Sequence, residues 1–150
     1  MPNKVLRACC YSSLGKTIRE ATITHGLKPW VIFASSNEIG IRSLSFTAEM
    51  VKSLYKIEPQ KIVSIECFDG DPFDFPNATF FSDKTANIIR SFLDTGFWKA
   101  SSDLVVSCPT GICISPSIVK SIQDTKGLPI VFHSSKDPKF SPKIIKYMTS

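Results

Sequence analysis

Short apolar strands separated by amphipathic helices predict an α/β domain: a mostly parallel sheet of four to five strands flanked by helices. Two observations carry this. The strand-like runs Trp30-Val31-Ile32-Phe33-Ala34 and Leu104-Val105-Val106 are apolar without alternation, as strands buried on both faces are. Helical apolar spacing occupies the intervals between such runs.

The elements follow in order. Residues 5–10 read as the first strand, with a polar turn at Ser12-Ser13. Over residues 14–25, Leu14, Ile18, Ala21 and Ile23 recur at helical spacing, and Gly26 offers a helix stop. Pro29 and Ser35-Ser36-Asn37 bound the second strand. Residues 37–45 read as loop. A short helix over 46–55 has Ser45 or Thr47 as its cap and Met50, Val51 and Leu54 facing inward. Residues 60–67 form a third strand. The run 68–81, rich in aspartate, proline and phenylalanine, is loop. Ser82 caps a helix over 82–93 whose apolar side is Ala86, Ile88, Ile89, Phe92 and Leu93. Residues 104–107 are the fourth strand. A helix then runs to about Asp124, stopped near Gly127, with Ser115 as N-cap, Pro116 at the first helical position and Ile118, Val119 and Ile122 as its apolar face. The tail 128–142 is irregular, with Ile130-Val131-Phe132 buried, and a last helix covers 143–148.

Composition narrows the function. The chain, residues 1–150, is the length of one ordinary domain. A hydrophobic content of 43% with 21% charged residues is that of a globular protein. No apolar run reaches the ~18 residues of a membrane span, and Lys4 and Arg7 precede too short an apolar run for a signal peptide. The expectation is a cytoplasmic protein with no membrane partner. Five cysteines without paired Cys-x-x-Cys spacing, and only two histidines, argue against a disulfide framework and against a metal site. The net charge of +5 is spread over scattered lysines, so a solvated basic surface is expected rather than a nucleic-acid interface, with a phosphate-attracting face as the sharper alternative. Cys9 and Cys10 need no role beyond the strand. His25 and His133 read as surface or capping groups.

The chemistry concentrates at Cys108-Pro109-Thr110-Gly111-Ile112-Cys113-Ile114-Ser115-Pro116. A thiol closes an apolar strand, a glycine three positions on permits a tight turn, and a helix start follows. Backbone N–H groups of such a loop converge and, with the helix N-terminus, favour an anion or a thiolate. Cys113, on the same loop, makes a reversible Cys108–Cys113 disulfide conceivable.

This run resembles the phosphate-binding loop of the cysteine-dependent tyrosine and dual-specificity phosphatases, His-Cys-x-x-Gly-x-x-Arg-Ser, and the succession of strands, helices and aspartate loop along the chain loosely extends the likeness to small bacterial members. The resemblance implies a protein tyrosine phosphatase-like fold with Cys108 as nucleophile. Pro109, Thr110, Gly111, Ile112, Cys113 and Ile114 would form the phosphate-binding loop, and Ser115 would assist thiolate release. It implies Asp69 or Asp71 as general acid, no cofactor, and a phosphorylated protein or small phosphate ester as partner. Ser107 replaces the family histidine and Ile114 the arginine. A guanidinium fork holds a phosphoryl group bidentately, and its loss costs roughly three to five decades of rate. Impaired catalysis is therefore expected, unless Arg42, Lys136 or Lys139 supplies the cation. The alternatives are an inactive phosphate- or phosphopeptide-binding module and a thiol redox or sulfur-transfer protein.

Overall fold

The computed structural model describes residues 3–35, 47–67, 80–134 and 136–150. Its strands are β1 (Leu6–Cys10), β2 (Trp30–Ser35), β3 (Ile62–Glu66), β4 (Leu104–Cys108) and β5 (Ile130–Phe132). All pair in parallel, in the order β3-β2-β4-β1-β5. The helices are α1 (Leu14–His25), α2 (Ala48–Tyr55), α3 (Asp83–Asp94), α4 (Ile114–Lys126) and α5 (Pro142–Thr149). The expected α/β class, a parallel sheet between helices, is what the chain forms.

The order explains the layers. From β1 the chain passes through α1, beyond β4, to β2, and then through α2 to the edge strand β3. It returns through α3 to β4, and α4 carries it beyond β1 to β5. Parallel crossovers are right-handed, so opposite directions of travel place their helices on opposite faces. Leu14, Ile18 and Ala21 of α1 and Val51 of α2 accordingly pack with Cys9, Val31, Phe33 and Val105. On the other face Ala86 and Ile89 of α3, Ile118 and Ile122 of α4, and Ile144 of α5 pack with Leu6, Ala8, Ile32, Leu104 and Val106. Every residue of β4 is buried, which is why its sequence shows no alternation. The neighbours β1 and β4 send their chains out in opposite directions. Open α/β sheets bind ligands at such a switch point, outside the carboxyl ends of the strands.

Local chemistry sets the ends. Gly26 and Gly127 close α1 and α4 with left-handed φ of 69° and 72°. Thr47 caps α2, accepting from Met50 N at 3.3 Å, and Ser82 and Thr85 form a capping box on α3.

Four expectations are corrected. On α2 only Val51 is buried, while Met50 and Leu54 are exposed, because this two-turn helix lies against the edge strand β3 along a single narrow stripe. Ile88 is likewise exposed on α3. The tail holds β5 instead of an irregular segment, and Val131 and Phe132 are exposed, since backbone pairing with β1 holds this edge rather than side-chain burial. The helix after β4 begins at Ile114 with Cys113 at its cap position, so Ser115 and Pro116 lie inside the first turn. No helix among the described residues is long and apolar enough to cross a membrane.

Candidate functional site

Cys108 is the last residue of β4, at the switch point, and is 1% exposed beneath the loop that follows it. Gly111 N donates to Cys108 Sγ at 3.2 Å and Ser115 N at 3.4 Å. The thiol in turn donates to Ser115 Oγ at 3.3 Å, and that hydroxyl donates to Cys9 O at 3.3 Å. A helix's first N–H groups have no intrahelical partner, and the first turn of α4 turns one of its own onto the sulfur. Ser115 thus earns its place as a sulfur partner and a tie to β1, not as the helix cap.

The loop is held from three sides. Gly111, at φ 69°, is pressed against the end of β1. Thr110 Oγ1 accepts from Ile112 N at 3.3 Å within the turn. Lys139 N donates to Ile112 O at 2.8 Å, and Ser141 N to Ser117 Oγ at 2.8 Å, so the segment leading to α5 braces the outer rim. Pro109 and Thr110 are exposed at the lip, while Ile112 and Cys113 are half-buried.

Position 114 is decided by packing. Ile114 is 4% exposed and belongs to the core beneath α4, so it presents no polar group to the loop. Among the described residues no cationic side chain bonds to Cys108. Lys139 reaches the loop through its backbone with its side chain exposed, and Lys136 is exposed. Arg42, Asp69 and Asp71 lie outside the described residues.

A second thiol stands at the same end of the sheet, one the sequence had offered as mere strand filler. Cys10 ends β1 as the register partner of Cys108. Its sulfur meets Ser12 Oγ at 3.1 Å and Ser13 Oγ at 3.3 Å. Burial pushes this thiol up, but the hydroxyls and N–H groups of Ser12 and Ser13 together outweigh it and leave Cys10 below its ordinary value. Cys9, one residue earlier and on the other face, is pushed up to about 11 by burial. Ser12-Ser13 two and three residues after a strand-ending cysteine was the available signal.

The amino ends of the strands carry a buried ionic brace that spacing did not reveal. Asp103, fully buried ahead of β4, accepts from Val5 N at 2.7 Å and Arg7 Nε at 2.8 Å, and lies 2.6 Å from His25 Nε2. Arg7 Nη1 lies 3.1 Å from His133 Nε2 and 3.7 Å from Glu20 Oε2. His25, with its side chain 3% exposed, is therefore an interior hydrogen-bond partner of Asp103 and not a surface group. His133 is tucked against Arg7 rather than displayed. An arginine inside an apolar strand was the signal, since a buried cation requires a partner.

No disulfide joins the five cysteines, and no cluster of metal-ligating side chains occurs among the described residues. No family model, curated protein or solved structure matches this chain. The fold and the site themselves define its class: a parallel α/β domain with a thiol-centred N–H nest at its switch point.

Proposed function

We propose that the chain is a protein tyrosine or dual-specificity phosphatase-like domain whose loop receives a phosphoryl group and whose thiol phosphoenzyme chemistry is impaired. One observation carries the reading: Gly111 N and Ser115 N converge on Cys108 Sγ at the start of α4. A phosphoryl group above the sulfur would meet these donors and the positive end of the same helix. In such a reaction the thiolate attacks phosphorus, the leaving oxygen takes a proton from an acid, and the Ser115 hydroxyl stabilises the sulfur as water releases phosphate. Asp69 and Asp71 remain the acid candidates by their place in the sequence. Ile114 supplies none of the charge that a guanidinium would set against the transferring group. The partner is a phosphorylated protein or small phosphate ester, and no cofactor is needed. A cytoplasmic setting belongs to the same reading, since a reducing compartment keeps five cysteines out of disulfides.

The test pairs binding with turnover. Inorganic phosphate, titrated into the labelled protein, is expected to shift the amide resonances of Gly111 and Ser115, and more weakly in Ser115→Ala. Hydrolysis of a small aryl phosphate is expected to be no faster than in Cys108→Ser. Amides that ignore phosphate would refute the nest as a phosphoryl site. Brisk turnover lost in Cys108→Ser would overturn the impairment and mark a working enzyme.

A further inference from the structure

The sheet register sets a second thiol beside Cys108, and this goes beyond phosphate binding. Cys10 and Cys108 are register partners at the carboxyl ends of the adjacent parallel strands β1 and β4. Neighbouring strands lie ~4.8 Å apart, within the ~4.4–6.8 Å between Cα atoms that a disulfide spans. Side-chain alternation places Cys10 on the face of Leu6 and Ala8, the face that Cys108 shares with Leu104 and Val106. The two sulfurs differ in environment. Cys10 is partly exposed and surrounded by the Ser12 and Ser13 hydroxyls, whereas Cys108 is buried under its loop. Cys9, its sequence neighbour, points into the opposite core with Val31 and Phe33.

We infer that Cys10 and Cys108 form a reversible dithiol–disulfide site that takes a hydroperoxide as oxidant, with Cys10 as the attacking thiol and Cys108 as the resolving one. The Cys10 thiolate attacks the terminal peroxide oxygen. The O–O bond breaks, water or an alcohol leaves after taking up a proton, and Cys10 becomes a sulfenic acid. Cys108 then attacks the Cys10 sulfur. The S–O bond breaks, the Cys108 proton leaves with hydroxide as water, and an S–S bond remains. Two electrons pass from the two thiols to the peroxide, and a small dithiol restores both. The lowered Cys10 pKa supports the order of attack. Closing this bond withdraws the Cys108 sulfur from the loop, so oxidation is expected to abolish any phosphate response of the Gly111 amide.

Peptide mapping tests this, with single cysteine-to-serine variants to assign the linked sulfurs. Trypsin places Cys9 and Cys10 in residues 8–16, and Cys108 and Cys113 in residues 100–120. After stoichiometric hydrogen peroxide and alkylation of the remaining thiols, the two peptides are expected to be disulfide-linked, and to separate on reduction. The link should persist in Cys9→Ser and Cys113→Ser and vanish in Cys10→Ser. In Cys108→Ser, a sulfenic-acid trap should label Cys10. An unlinked 100–120 peptide lighter by two hydrogens would establish Cys108–Cys113 instead and overturn the pair. Oxidation of Cys108 with Cys10 left alkylated would do the same. Neither result bears on whether the reduced loop binds phosphate, so the two readings fail separately.

Discussion

A Cβ built on Gly111 would lie 2.6 Å from the backbone nitrogen of Cys10 and 2.9 Å from the carbonyl carbon of Cys9. The loop after β4 is laid directly on the end of β1, and only glycine combines that approach with a φ of 69°. Gly111→Ala is expected to cost roughly 2 kcal/mol or more. Urea unfolding reads it as a lower midpoint at unchanged slope. A midpoint equal to wild type would mean that the loop does not take this shape.

Ile114 sits in the core below the loop. Ile114→Arg places a cation among apolar side chains, and we expect a loss of about 2–4 kcal/mol of stability with no gain in aryl phosphate hydrolysis. Thermal melting and a turnover assay check both. A variant as stable as wild type that hydrolyses phosphate would show that the guanidinium escapes the core and completes the nest.

Asp103 accepts from Val5 N, Arg7 and His25 while fully buried. Asp103→Ala leaves the buried Arg7 cation with only the half-exposed Glu20 carboxylate, 3.7 Å away, and is expected to cost about 3 kcal/mol. Adding Arg7→Met should recover part of that loss, because the uncompensated charge goes with it. Strict additivity of the two changes in chemical denaturation would mean that the pair is not coupled.

His133 is held below its ordinary value of 6.5 by burial, then by Arg7 and Lys16, with Glu20 opposing. The unfolded chain therefore takes up this proton at a higher pH than the folded one. The stabilisation is complete above pH 6.5 and is lost as pH falls from there through the lower folded value. One proton gives a slope of at most ~1.4 kcal/mol per pH unit. Unfolding free energies between pH 7.5 and 5 should show this slope, and His133→Gln should remove it. An unchanged slope in that variant would assign the acid sensitivity to other groups.

How far the site was legible depended on the kind of signal. Strand, thiol, glycine and helix start follow one another between Leu104 and Ser115, so the Cys108 loop could be read directly. Local rules failed where neighbours decided the outcome. Ser115 has the chemistry of a cap, yet the sulfur and Cys9 O hold it inside the helix. His25 has no nearby partner in the sequence, because Asp103 meets it from across the fold.

The sequence by itself determined the parallel α/β class, the approximate course of its strands and helices and the loop at Cys108, because apolar periodicity, glycine conformation and helix ends are local properties of the chain. Strand order was not local. Only the tertiary structure set β1 beside β4, and with them Cys10 beside Cys108 and Arg7 beside Asp103. Each of those pairs spans about two thirds of the chain, and no spacing rule connects them. Packing of the whole sheet and its two helical layers brought them together, and with them the thiol pair at one end of the strands and the ionic brace at the other.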